Sequence, residues 1–100
     1  MIILLYYEHA RLQGKLDRIL EKHSLLGHRL KSVVMADMAT RYDMIFEDSD
    51  KYYLYAHIAC RRAKTLIKTI NDYESNGYKL VFHVMGDLAT RRELFFERIN

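Results

Sequence analysis

Met85-Gly86-Asp87-Leu88-Ala89-Thr90-Arg91 is the second occurrence of a stretch that already reads Met35-Ala36-Asp37-Met38-Ala39-Thr40-Arg41 fifty residues earlier. Laying residues 1–50 over 51–100 without a gap gives thirteen identities. They are Leu4/Leu54, Arg11/Arg61, Leu16/Leu66, Gly27/Gly77, Leu30/Leu80, Val34/Val84, Met35/Met85, Asp37/Asp87, Ala39/Ala89, Thr40/Thr90, Arg41/Arg91, Phe46/Phe96 and Glu47/Glu97. Chance at ordinary composition gives roughly three. The chain is therefore a tandem duplication, and a period of this length governs the architecture.

Working outward from the repeated stretch, each half reads strand, helix, strand, strand. Residues 2–7 (IILLYY) are β-branched and aromatic, as strands are. From Ala10 to Leu26, Leu12, Leu16, Ile19, Leu20 and His23 recur on one helical face, and Gly27 supplies the left-handed stop. Strands are expected at 29–36 and 41–47, joined by the polar loop 37–40. The second half repeats the order: strand 52–58, a helix marked by Ala63, Leu66, Ile67 and Ile70, a stop at Asn76-Gly77, and strands 78–85 and 91–99. Only Asp48-Ser49-Asp50-Lys51 lies between the halves, so they must lie close together.

One hundred residues make one domain, 1–100, built of repeats 1–50 and 51–100. A lone 50-residue unit buries too little surface to be more than marginal, so the repeats are expected to share a core. The expected fold is α+β, with two βαββ units and both helices on one face of a mostly antiparallel sheet. Half the residues are hydrophobic, with four glycines and no proline, a composition that argues against extensive disorder. A single cysteine, Cys60, excludes an internal disulfide and fits a reducing cytoplasm. The apolar opening Met1–Leu5 lacks a basic leader and a cleavage site, so it reads as strand rather than signal peptide. No apolar run approaches the roughly 18 residues of a membrane span.

The repeated loops are first of all turns, because aspartate side chains accept hydrogen bonds from nearby backbone amides. Two such loops, each offering Asp37, Thr40, Arg41 or Asp87, Thr90, Arg91, also form a candidate partner-binding pair. Strand alternation places Leu30, Val34, Met44, Phe46, Leu80, Phe82, Val84, Leu94 and Phe96 under the helices. The other side then carries Tyr7, Val33, Met35, Tyr53, Tyr55, His83, Met85 and Phe95, joined by Ile3, Leu5, Ile45 and Val81. A wetted face should read polar. This one is apolar and aromatic, and so is expected to be an interaction surface. A two-fold homodimer packed sheet on sheet is the plainest occupant.

A rival reading makes the same aromatics a stacking platform for single-stranded nucleic acid, with phosphate contacts from Arg11, Lys15, Arg18 and Lys22 and from Arg61, Lys64 and Lys68. A net charge of +3 is too small to imply nucleic acid by itself. The basic stripe also lies on helices while the aromatics lie on strands, so the two would not converge on one ligand. An enzymatic reading has less to stand on. The five histidines show no metal-ligand spacing, and His23 falls on the apolar helix face. Asp37, Asp43 and Glu47, mirrored by Asp87, Glu93 and Glu97, leave a metal-dependent nuclease as a third reading, but the strand acids are better explained as cross-strand partners of Arg41 and Arg91. Cys60 reads as a small buried residue. No catalytic set, resident metal or cofactor is expected.

The second half, with its helix followed by Asn76-Gly77-Tyr78-Lys79-Leu80-Val81, a loop, and a strand ending Phe95-Phe96-Glu97-Arg98, resembles a family of small uncharacterised βαββ domains of bacteria and phages. In the first half the likeness is carried only by Gly27-His28-Arg29-Leu30. The resemblance implies the strand-helix-strand-strand order and a compact cytoplasmic protein, and it assigns no activity. The expectation for function is a non-enzymatic protein acting through protein–protein contacts, in the manner of a phage accessory or inhibitor protein directed at host machinery.

Overall fold

The computed structural model describes residues 3–99 and follows the duplicated order. The first unit comprises β1 (Leu5–Ala10), α1 (Gln13–Leu25), β2 (His28–Ala36) and β3 (Arg41–Asp48). The second comprises β4 (Tyr53–Cys60), α2 (Ala63–Glu74), β5 (Lys79–Gly86) and β6 (Arg91–Ile99). The strand expected at 2–7 begins later, at Leu5, and runs to Ala10; Met1 and Ile2 lie outside the described residues. Both helices end as their glycines dictate. Gly27 takes φ +75° and Gly77 φ +85°, values that cost a residue with a side chain and cost glycine nothing.

The fold class is the expected one, α+β built of two βαββ units, but the strands form two sheets rather than one shared layer. Each is three-stranded and antiparallel, in the orders β1-β3-β2 and β4-β6-β5. In each unit the third strand of the sequence becomes the middle strand of the sheet. β3 and β6 therefore carry most of the large, deeply buried side chains: Tyr42, Met44 and Phe46 in one, and Glu93, Leu94, Phe95 and Phe96 in the other.

The two units stack in an unequal way. In the first, α1 lays Leu16, Ile19 and Leu20 on the side of the sheet that carries Leu30, Val33, Met44 and Phe46. In the second, α2 covers Cys60, Leu94 and Phe96 with Leu66, Ile70 and Tyr73. The helix-free side of the second sheet then lies on the helix side of the first unit. Phe95 belongs to the first unit's core, with Tyr55, Val81, Phe82 and Val84 packed beside it. α1 meets β4, and β2 meets β5. Ser24 donates its hydroxyl to the Tyr53 carbonyl, which ties α1 to β4.

This stacking explains why the uncovered face expected from alternation is only half present. The helix-free side of the first sheet is open, with Leu5 57 %, Tyr7 58 % and Val34 54 % exposed. The equivalent side of the second is buried between the units, with Phe95 at 0 % and Tyr53 and His57 at 6 %. Burying one greasy face against the other unit's helix side removes apolar surface from water that a single flat layer would have left wet. The radius of gyration, 13.4 Å, is close to the ~13 Å expected for one domain of this length. No helix among the described residues is long and apolar enough to cross a membrane.

Candidate functional site

The two repeated loops come to lie side by side. In the first, Asp37, Met38 and Ala39 take φ of 52°, 57° and 62°; in the second, Asp87, Leu88 and Ala89 take 50°, 57° and 66°. Three successive left-handed residues that are not glycine are unusual, since each costs roughly 1–2 kcal/mol against the right-handed form. The backbone holds them through the Thr40 amide, which donates to the carbonyls of Ala36 (3.1 Å) and Asp37 (3.2 Å), and through Thr90, which does the same to Gly86 and Asp87. Each threonine hydroxyl also donates to the aspartate carbonyl three residues before it, at 2.6 Å.

An arginine from outside the loop completes each turn. Arg11 donates to Thr40 Oγ1 at 2.9 Å and to the Asp37 carboxylate. Arg61 donates to Thr90 Oγ1 at 2.8 Å and to Asp87 Oδ2 at 2.5 Å. That contact holds the Asp87 carboxyl below its ordinary pKa, the hydrogen bond from Arg61 being the largest cause. Four of the duplicated identities, Arg11/Arg61, Asp37/Asp87, Ala39/Ala89 and Thr40/Thr90, thus belong to one device. The polar residues face inward to the clamp, and what the tips offer outward is apolar. Met38 is 79 % exposed and Leu88 57 %, and with Ala39 and Ala89 they line one shallow depression shared by both loops.

The remaining residues singled out by sequence scatter. Arg41 leaves the loop to pair with Asp43 (2.8 Å) and Arg91 to pair with Glu93 (2.5 Å), so both serve the strands. The supposed sheet-face set divides three ways. Tyr7 lies on the open face of the first sheet. Tyr53, Tyr55 and Phe95 are shut between the units. Val33, Met35, His83 and Met85 lie on the helix sides. This last displacement comes from two matching bulges, between Leu30 and Ser32 and between Leu80 and Phe82, where one extra residue reverses every later side chain. The basic stripe is broken up as well. Arg11 and Arg61 precede their helices and clamp the loops, Lys22 pairs with Glu8, and Arg18 Nε caps the Gly14 carbonyl at 3.3 Å. Lys15, Lys64 and Lys68 stay on exposed helix surface.

Two polar clusters lay beyond sequence reasoning. Glu93, expected as a cross-strand partner or, in the nuclease reading, as one acid of a metal set, is fully buried at the contact between the units. Its Oε1 accepts from Tyr42 Oη and from His57 Nε2, both at 2.6 Å. Burial pushes the Glu93 carboxyl up, and the donors His57, Tyr42 and Arg91 outweigh that to leave it below the ordinary value. Because the carboxylate can only accept, His57 carries its proton on Nε2; its Nδ1 is buried with no partner among the described residues. At the other end, His23 lies 2.7 Å from Glu8 Oε2 and, through Nδ1, 2.8 Å from His28 Nδ1. Burial lowers the His23 pKa, and His23 stacks on Phe46, so it is the core histidine that its place on the helix face implied. Among the described residues no three His, Cys, Asp or Glu side chains gather as a metal-binding set.

Compared with family models, curated proteins and solved structures, the chain finds no match in any of the three. What fold and site define is a duplicated α+β protein that presents two arginine-clamped, apolar-tipped hairpins on one surface.

Proposed function

We propose that this chain is a non-enzymatic binding protein that takes a protein partner on its paired hairpin tips. The observation that carries the reading is that Met38 and Leu88 are held out in water on backbone that is both strained and clamped. Backbone strain concentrates where a loop has a task, and binding groups favour loops fixed by a rigid scaffold. A preformed tip loses little entropy on binding, so even a small apolar contact contributes. An accessory or inhibitor protein directed at host machinery fits this design, since such a protein needs surface and no chemistry.

Single-stranded nucleic acid is the weaker candidate for two reasons. Its stacking platform would require Tyr53, Tyr55 and Phe95, which lie between the units, and its phosphate contacts would lose Arg11 and Arg61, which are engaged with the loops, and keep only helix-surface cations such as Lys15, Lys64 and Lys68. A photo-crosslinking residue placed at 38 or 88, with Lys64 as a surface control, tests the proposal in lysate of the natural host. The expected result is a protein adduct from 38 and 88 that is absent from 64 and is competed away by excess unlabelled wild-type chain but not by unlabelled Met38→Ser/Leu88→Ser. Salt-sensitive binding of single-stranded RNA, unchanged in that double variant, would replace this reading with the nucleic-acid one.

A further inference from the structure

We propose that the chain assembles head to tail with further copies of itself, the open face of its first sheet docking on the helix side of a neighbour's second unit. Each unit has a helix side and a helix-free side. Within the chain, the helix side of the first unit is joined to the helix-free side of the second. One surface of each kind is left over, and both are exposed. α1 buries Leu16, Ile19, Leu20, His23 and Ser24, whereas α2 has no fully buried residue and leaves Ile67 62 % exposed.

The leftover surfaces repeat the chemistry of the joined ones at positions fifty residues away. Arg29 of the first unit holds Glu97 of the second at 3.0 and 3.2 Å; the corresponding pair across two copies is Lys79 with Glu47. Tyr42 donates to Glu93; the corresponding pair is Arg92 with Asp43, a cation facing an acid. Asp17 and Leu20 of α1 border a groove with Tyr55 and His57; the corresponding residues are Ile67 and Ile70 against Leu5 and Tyr7. Opposite charges therefore meet at both polar positions, and apolar residues meet between them. Position 67 gains an isoleucine where the contact within the chain has an aspartate. This contact is heterologous, so repeating it yields a closed ring or an open row of molecules, not a two-fold dimer.

The test uses light scattering with size exclusion on the full chain and on two exposed-site variants, Tyr7→Lys and Ile67→Lys, each checked for native circular dichroism. The wild-type mass should rise with concentration in steps of 12.0 kDa past the dimer, or stop at a ring. Each variant alone should be monomeric, because each has lost one of the two surfaces. Mixed in equal amounts they should form a dimer of one copy each, since every molecule retains one intact surface. Glu47→Lys should weaken assembly about tenfold, and adding Lys79→Glu to the same chain should restore it. A wild-type protein that stays monomeric at millimolar concentration overturns the proposal. So does a dimer abolished by Tyr7→Lys, indifferent to Ile67→Lys and not restored by mixing, which is the signature of two first sheets packed face to face.

Discussion

Tyr42 donates its hydroxyl to Glu93 at 2.6 Å across the contact between the two repeats, while their counterparts fifty residues away lie apart, Arg92 beside Cys60 on the α2 side of the second sheet and Asp43 beside His9 on the helix-free side of the first. This one bond marks where two equivalent units become unequal. It is also a bond to a buried charge, whose loss leaves a carboxylate one donor short. Tyr42→Phe should therefore lower stability by about 1–3 kcal/mol, read as a reduced urea midpoint with unchanged slope. Tyr7→Phe deletes the bond from Tyr7 Oη to Asp43 (3.0 Å) on the open face and should change stability by no more than ~0.5 kcal/mol. Equal losses in the two variants would mean that Glu93 is hydrated in solution.

Acid should unfold the protein in two stages. His23 has a folded pKa lowered from 6.5 by burial, so below 6.5 the unfolded chain takes the proton more readily. Its share of stability is complete above that value and declines as pH falls toward the folded pKa. Glu93, lowered from 4.5 by its three donors against the opposing effect of burial, keeps its share above 4.5 and loses it as pH falls through the folded value. Glu8, held low by Lys22 and His23 against its own burial, adds to that second stage. Denaturation midpoints should be flat above about pH 7, drop first as pH falls below 6.5 and again in the carboxylate range. His23→Phe should remove the first drop and shrink the Glu8 share of the second, leaving the Glu93 share in place. A single transition in that variant's parent, confined to pH below 4, would contradict the assignment to His23.

Much of this architecture was legible because duplication reveals itself without physics: identical residues at a fixed spacing named the units, and the helix periodicity and glycine stops placed the elements. The repeated loop motif was visible too, but its polar letters drew attention while its exposed Met38 and Leu88 did not. An apolar residue at the tip of a polar turn was the available signal. Alternation failed at Lys31 and Val81, where a bulge adds one residue and leaves no mark in composition. The stacking of one unit's greasy face on the other's helix side was not legible either. Both faces of β6 mix apolar and charged residues, Arg92, Leu94, Phe96 and Arg98 on one and Arg91, Glu93, Phe95 and Glu97 on the other, and only packing decides which neighbour covers Glu93 and Phe95.

Gly86 and Ala36 occupy the same place in the two hairpins, and their difference has a cause. A methyl group on Gly86 would sit 2.9 Å from Cγ and Cδ of the buried Glu93 side chain. The residue in the place of Glu93 in the first unit is Asp43, shorter and only partly buried, so Ala36 fits. Gly86→Ala should cost about 1–3 kcal/mol through overpacking against groups that cannot yield. Ala36→Gly should cost only about 0.5–1 kcal/mol through backbone entropy. Restoring Gly86→Ala with Glu93→Asp, which withdraws the carboxylate by one methylene, would locate the clash; an additive double variant would place it elsewhere.

The loops carry a trade between stability and binding that one substitution exposes. Ala39 and Ala89 sit at φ 62° and 66°, where an alanine side chain costs roughly 1–2 kcal/mol and glycine has no such cost. Against this gain, glycine adds roughly 0.5–1 kcal/mol of unfolded-state entropy, so Ala89→Gly should raise stability by up to about 1 kcal/mol. The same change releases the turn between Arg61's anchors at Asp87 and Thr90, and the tip that carries Leu88 becomes free to wander. Crosslinking of the partner from position 88 should therefore fall as the melting temperature rises, the pattern expected when strain is kept for function. Should stability and crosslinking both rise, the strain would be incidental to binding and Leu88 would act through exposure alone. The comparison with Arg61→Ala separates the two causes. That variant loosens the same tip without relieving any left-handed residue, so it should lose crosslinking with a stability change of no more than ~1 kcal/mol, as befits an exposed ion pair.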